Sequence, residues 1–111
     1  LMSMEPMMNL QNIPTPTIRY EDQGNKGRYA AKVDGIAEEA ELTISKVSDT
    51  LIIADHTAVP DSMRGLGVAK ALAEKLIADA RDNGQRIVPL CPFVRSYAMK
   101  NKEVVADVIQ W

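Results

Sequence analysis

A chain of 111 residues and 12.2 kDa has room for one domain and one core, not for a separate cofactor-binding half. Its 46% hydrophobic and 25% charged residues are the composition of a folded globular protein rather than a disordered one. A formal net charge of −2 argues against a surface built on nucleic-acid phosphates, and one cysteine with one histidine excludes an internal disulfide and a Cys/His zinc site.

No apolar run reaches the ~18 residues of a membrane-crossing helix, and no basic-then-apolar leader is visible. The expected setting is a reducing cytoplasm, with no membrane, nucleic-acid or metal partner. The aromatic residues are few (Tyr20, Tyr29, Phe93, Tyr97 and Trp111), so the core must be built from Val, Ile, Leu and Ala.

Residues 1–16 hold four of the six methionines and three prolines without periodicity, and read as a flexible N-terminal tail. Residues 17–111 read as a single domain. Arg28–Val33 is a short strand. Asp34-Gly35 is a turn pair suited to a tight hairpin. Ile36–Val47 follows, with Ala40, Leu42 and Ile44 on one side and Glu39, Glu41, Thr43 and Ser45 on the other, the alternation of a half-buried strand. Glu38, Glu39 and Glu41 read as a solvated strand face. Ser48-Asp49 turns the chain into Thr50–Val59, whose continuous apolar start suits a strand covered on both faces.

From Arg64 to Asn83 the period changes to 3.6. Val68, Leu72 and Leu76, widened by Ala69, Ala73, Ile77 and Ala80, form the stripe of an amphipathic helix. Asn83-Gly84 stops it. Arg86–Leu90 is a short strand in which Pro89 cannot donate a ladder bond. Phe93–Asn101 and Val104–Gln110 read as short helices. The strand–helix–strand unit from Leu51 to Leu90 favours a parallel pair.

The stretch Val59 to Ala69 (VPDSMRGLGVA) carries the strongest chemical signal. It lies between a strand and a helix. Two glycines let a ligand approach the backbone, the first N–H groups of the helix lack intrahelical partners, and Arg64 adds a charge. These features suit a phosphate or pyrophosphate, although a glycine-bearing turn can also simply start a helix. The Gly-Lys-Ser/Thr of a Walker loop is absent, and Lys70 stands where a dinucleotide fingerprint needs a third small residue.

Arg64-x-x-Gly67-x-Ala69 resembles the Q/R-x-x-G-x-G/A signature with which the GNAT superfamily of N-acetyltransferases binds acetyl-CoA pyrophosphate. The strings His56–Pro60, Arg64–Ala69 and Leu90–Val94, with Tyr97, resemble the short stand-alone YjdJ-type branch of that superfamily. The resemblance spans roughly Tyr20 to Ile109. It implies an α+β fold: a GNAT-like mixed sheet with antiparallel N-terminal strands, a central splayed parallel pair, and packed helices. The splayed pair would be Leu51–Val59 and Arg86–Leu90.

The resemblance also implies an acetyl-CoA-dependent N-acetyltransferase acting on an amine of a small molecule or protein. Its cofactor contacts would be Thr57, Ala58 and Val59 on pantetheine, and Arg64, Gly65, Leu66, Gly67, Val68, Ala69 and Lys70 on the phosphates. Its catalytic candidates are Tyr97 as the acid for the departing thiolate, Cys91 as a group flanking the thioester and able to accept an acyl group, and His56 as a base. Several superfamily members carry a carboxylate base where this chain has Ala58. That departure keeps open an alternative, a non-catalytic CoA- or acyl-CoA-binding module.

Overall fold

The computed structural model describes residues 15–111; the expected N-terminal tail lies outside them except for Thr15 and Pro16. One sheet of five strands runs in the order β1 (Thr17–Asp22), β2 (Lys26–Lys32), β3 (Ala40–Ser48), β4 (Leu51–Ala58) and β5 (Arg86–Pro89). The first four are antiparallel neighbours, and β4 pairs with β5 in parallel. The helices are α1 (Val68–Asp82), α2 (Pro92–Lys100) and the single-turn α3 (Lys102–Val105). This mixed sheet with packed helices is the expected α+β architecture.

The predicted stripe on α1 is the one that packs. Val68, Leu72, Ala73, Leu76, Ile77 and Ala80 are buried with Ala31, Leu42, Ile44, Ile52, Ala54 and Ile87 of the sheet. A sheet face needs such a cover to withdraw its apolar side chains from water. At the end of α1, the Gly84 and Gln85 amides donate to the Arg81 and Ala80 carbonyls, at 3.3 and 2.8 Å. This is the Schellman closure expected from Asn83-Gly84, with Gly84 at φ 66°.

Four differences from the sequence reading have physical causes. Strand β1 was not anticipated: only Ile18 and Tyr20 mark its inner face, and it gains definition by pairing with β2, where Tyr20 lies opposite Tyr29 with ring centroids 4.8 Å apart. The hairpin at Asp34-Gly35 is wider than two residues. Its turn forms, with the Ile36 amide on the Val33 carbonyl at 3.0 Å, but pairing resumes only at Ala31 and Ala40.

Helix α1 begins at Val68 rather than Arg64, after a 3₁₀ turn over Asp61–Met63, because Gly65 and Gly67 adopt φ 79° and 73°. The helix expected over Val104–Gln110 is only α3. Beyond it the chain runs along the free edge of β5, where the Ile87 amide donates to the Val108 carbonyl at 2.7 Å and the Gln110 amide to the Ile87 carbonyl at 2.8 Å. An open strand edge is a stronger claim on those amides than another helical turn.

The sheet face opposite α1 carries charge instead of apolar residues. Glu39 and Glu41 are ion-paired there, not merely solvated. Arg19 binds Glu39 at 2.5 Å and Glu21 at 2.7 Å, while Arg28 binds Glu41 at 2.6 Å and reaches Glu21 and Glu39 at 3.2 and 3.4 Å. The Arg19 guanidinium, aided by Arg28, holds the Glu39 carboxyl down to about 2 from its ordinary 4.5. A carboxylate whose pKa is lowered by folding stabilises the fold above its ordinary value and loses that contribution as pH falls through the lowered one. The thermal midpoint should therefore fall as pH is lowered from 4.5 to about 2, and Arg19→Met should flatten that fall. Parallel curves for the two proteins would show that the pair does not link pH to folding.

Candidate functional site

Pairing between β4 and β5 stops early. Its register runs from Leu51 opposite Arg86 to Ala54 opposite Pro89. The last bond between the two arms is the Cys91 amide on the Ala54 carbonyl at 2.8 Å. Strand β4 continues through Asp55–Ala58 with β3 alone, and the chain beyond β5 turns into α2, with Cys91 at its N-cap and Pro92 at the first helical position. The two arms therefore form a fork, as expected of a splayed pair.

A bulge sets which side chains enter it. Thr43 pairs with His56 but Ile44 with Ala54, which leaves Asp55 as the extra residue. Asp55 accepts from the Ser45 hydroxyl at 2.6 Å. His56 lies exposed opposite Thr43, and Thr57 is half-buried opposite Leu42. The Thr57 Oγ1 lies 3.0 Å from Cys91 Sγ, and Cys91 is 1% exposed.

Beside the fork, a cavity of about 360 Å³ is lined by Val59, Arg64, Gly65, Gly67, Val68, Ala69, Lys70 and Phe93, with Pro60, Asp61 and Met63. Its floor is the start of α1. The first helical bond reaching back to Gly67 comes from the Ala71 amide, at 3.0 Å, so the amides of Val68, Ala69 and Lys70 precede the ladder. An N-cap Ser, Thr, Asp or Asn would spend one of those amides on its own side chain. Gly67 occupies the N-cap instead and makes no side-chain cap. A Cβ added to Gly65 or Gly67 would meet nothing within 4 Å, so the positive φ is what calls for glycine at both positions.

Arg64 pairs with Asp61 at 2.6 Å, and both side chains are exposed. Such a pair is worth little and exchanges readily for a stronger anion. Leu66 differs from its neighbours. It packs half-buried against the core, and its amide is already bonded to the Met63 carbonyl at 3.2 Å. Of the expected contact residues, Thr57, Ala58 and Leu66 lie outside this cavity, and the rest line it.

A second cavity, of about 400 Å³, lies between α1 and α2, and shares Lys70 and Phe93 with the first. Tyr97 lines it, and its hydroxyl donates to Glu74 Oε2 at 3.3 Å. Burial, and then the Glu74 carboxylate, push the Tyr97 phenol above its ordinary 10.0, so it stays protonated. The structure thus brings Cys91 and Thr57 together at the fork. It places Tyr97 in the neighbouring cleft and His56 on the other face of the sheet. Phe93, Ser96 and Lys100 were not selected as site residues from sequence. Their signal was the helical spacing that puts positions 93, 96, 97 and 100 on one side of α2.

A family model described as GCN5-related N-acetyl-transferase matches residues 28–108. Protein NATD1 of Xenopus tropicalis is 26% identical over 88 residues, covering 79% of this chain and 81% of that protein. Protein NATD1 of Homo sapiens is 26% identical over 84 residues, 76% of this chain and 74% of the relative. The solution structure of a GCN5-like candidate N-acetyltransferase from Staphylococcus aureus matches with TM-score 0.59 and 28% identity, covering 83% of this chain and 87% of that one.

The packing around Cys91 makes a direct forecast. A thiol sealed in the core reacts only when the native state opens. A thiol-specific disulfide reagent should modify Cys91 slowly in the folded protein and promptly in denaturant. Thr57→Ala should speed the native reaction. Immediate stoichiometric modification of the folded wild type would show that the fork admits the reagent directly.

Proposed function

Because the chain belongs to the GCN5-related N-acetyltransferase family and is therefore an acyltransferase, we propose that its donor is acetyl-CoA and its acceptor an amine. The observation that carries this reading is the fork between β4 and β5 beside a row of free helix-start amides. A long donor with an anionic middle and a thin thioester arm fits that combination. The Val68, Ala69 and Lys70 amides and the Arg64 guanidinium bind the pyrophosphate, helped by the positive end of α1. The β5-facing edge of Asp55–Ala58, which β5 no longer accompanies, offers ladder groups to the amides of pantetheine.

Acetyl-CoA supplies an activated thioester, whose acyl carbon bonds to the acceptor nitrogen as its bond to sulfur breaks and CoA departs as a thiolate that takes its proton from water. The chain's own contribution is local polarity. Thr57 and Cys91 share one hydrogen bond, so one of their two protons is left to donate at the fork. A donor fixed there stabilises negative charge on an acyl oxygen. His56, one residue earlier on the opposite face, is the base proposed for the acceptor's proton. Tyr97 has a protonated phenol but acts from the neighbouring cleft, as a wall of the donor site. One free, buried thiol suits a reducing compartment, in keeping with a cytoplasmic enzyme.

A second reading, a CoA-binding module without turnover, draws support from Ala58, which cannot titrate, and from the sealed Cys91. Thermal unfolding with acetyl-CoA, CoA, ATP or NADH tests the shared premise. A ligand at ~100 times its Kd adds ~2.7 kcal/mol, a shift of several degrees for a domain this size. Acetyl-CoA and CoA should shift the midpoint and NADH should not, and Arg64→Ala should shrink the shift. No shift with either CoA species would overturn the donor assignment. Thiol release from acetyl-CoA across an amine panel then separates the readings: His56→Gln and Cys91→Ala should each slow an enzyme, whereas a module shows no release to slow.

A further inference from the structure

We propose that the outer edge of β1 is an interface between two copies of this chain, which pair antiparallel about a twofold axis at Tyr20 and join their sheets into one. The two edges of the sheet differ. Residues 108–110 occupy the outer edge of β5, where Ile87 bonds to Val108 and Gln110 at 2.7 and 2.8 Å. Strand β1 has β2 as its one neighbour, and among the described residues no backbone bond reaches its other side. Its register runs without a bulge from Thr17 to Asp22, and the sequence TIRYED contains no proline to block pairing.

The turn between β1 and β2 fixes which groups face outward. The Gln23 amide donates to the Lys26 carbonyl at 2.9 Å, which makes those two residues the first hydrogen-bonded pair of the ladder. Bonded pairs recur at every second residue of an antiparallel ladder. Glu21, Arg19 and Thr17 therefore bond to Arg28, Ala30 and Lys32, while Ile18, Tyr20 and Asp22 turn their amides and carbonyls away from β2. Such an unpaired row is a template for another strand.

Symmetry and charge choose which strand fits. Two identical strands paired antiparallel in one sheet have their twofold axis perpendicular to it, so the central residue meets its own copy and few registers exist. Centred on Arg19, the pair opposes two guanidinium groups; centred on Glu21 or Asp22, two carboxylates. Centred on Ile18, it sets Pro16, which has no amide, against Tyr20. Centred on Tyr20, it sets Arg19 of each copy opposite Glu21 of the other. That extends across the axis the charge lattice in which Arg19 binds Glu39 and Arg28 binds Glu41. On the other face Tyr20, 40% exposed, meets its copy beside Tyr29. The same register joins the two Tyr20 backbones to each other, and Ile18 of each copy to Asp22 of the other, all of them outward-facing. With the outer edge of β5 already taken, the pairing closes at two copies and cannot run on as a filament. The fork between β4 and β5 lies at the far side of the sheet, so the interface stands whether or not acetyl-CoA is the donor.

Sedimentation of the full chain across concentration is the test. A strand-edge contact is small for a protein interface, so the pair should be weak: the mass should climb from 12.2 kDa towards twice that between about 1 μM and about 1 mM. Added salt should move the transition to higher concentration. Ile18→Pro removes one outward amide and spares the bonds to β2. It should raise the dissociation constant at least about tenfold, whereas Ile18→Val should not. Circular dichroism checks that both variants fold. Amide exchange of the wild type gives a reading that needs no variant: the amides of Ile18, Tyr20 and Asp22 should exchange slowly at high concentration and freely at low. A mass that stays at 12.2 kDa across the range would overturn the interface. So would a pair that a folded Ile18→Pro leaves intact. So would amides at these three positions protected equally at every concentration, because the chain would then cover its own edge.

Discussion

Strand β4 has two neighbours of unequal length, and the rest of the site depends on that inequality. On one side β3 accompanies it to Ala58; on the other, β5 leaves after Ala54. The cause is the placement of two prolines. Pro89 has no amide to continue the ladder, and Pro92 is set for the first turn of α2, so the chain between them leaves the sheet. A parting of strands usually leaves backbone groups unsatisfied. Here the Cys91 amide on Ala54 closes the fork, and residues 108–110 take the outer edge of β5. The opening is thus confined to Asp55–Ala58, where a long thin ligand can use it.

The loop that follows β4 depends on a second constraint. Its backbone must turn sharply and yet present free amides. Two left-handed glycines provide the turn, and an N-cap without a side-chain acceptor leaves the amides unspent. A loop of this kind would drift unless anchored. Met63 is buried, and Leu66 packs half-buried against the core with its own amide bonded back to Met63. Burying those two side chains offsets the conformational entropy of the loop. Anchoring and binding therefore share the segment: Met63 and Leu66 hold it, Met63 still touching the cavity, while Arg64, Gly65 and Gly67 line it.

Much of this was legible in the residues. The period of 3.6 from Val68 to Ala80 marks the face of α1, Asn83-Gly84 its end, and Pro89 the weak point of β5. Each is a local property that tertiary structure had only to respect. Other features were settled by contacts that sequence spacing does not record. Strand β1 has two inward residues, too short an alternation to separate it from loop, and is defined by lying beside β2. Val105, Val108 and Ile109 fit a helical spacing and are all buried, but the open edge of β5 draws Ile109 into a strand-like bridge with Ile87. The start of α1 is not set by period: Arg64 falls on its polar flank in sequence, whereas a positive φ at Gly65 and Gly67 delays the helix to Val68.

The cleft between α1 and α2 shows the limit most clearly. On α1, Lys70 and Glu74 lie off the apolar stripe, where exposed polar residues need no explanation. On α2, Phe93, Tyr97 and Lys100 lie off the buried positions Val94 and Ala98. Taken separately, both flanks read as solvent-facing surface. The two flanks acquire meaning only when the crossover from β4 through α1 to β5 sets α2 beside α1. They then enclose a cavity that joins the phosphate cavity at Lys70 and Phe93. The glycine loop could be found by pattern because a turn is local. The cleft could not, because its facing residues Glu74 and Tyr97 are 23 residues apart in sequence and meet only through tertiary structure.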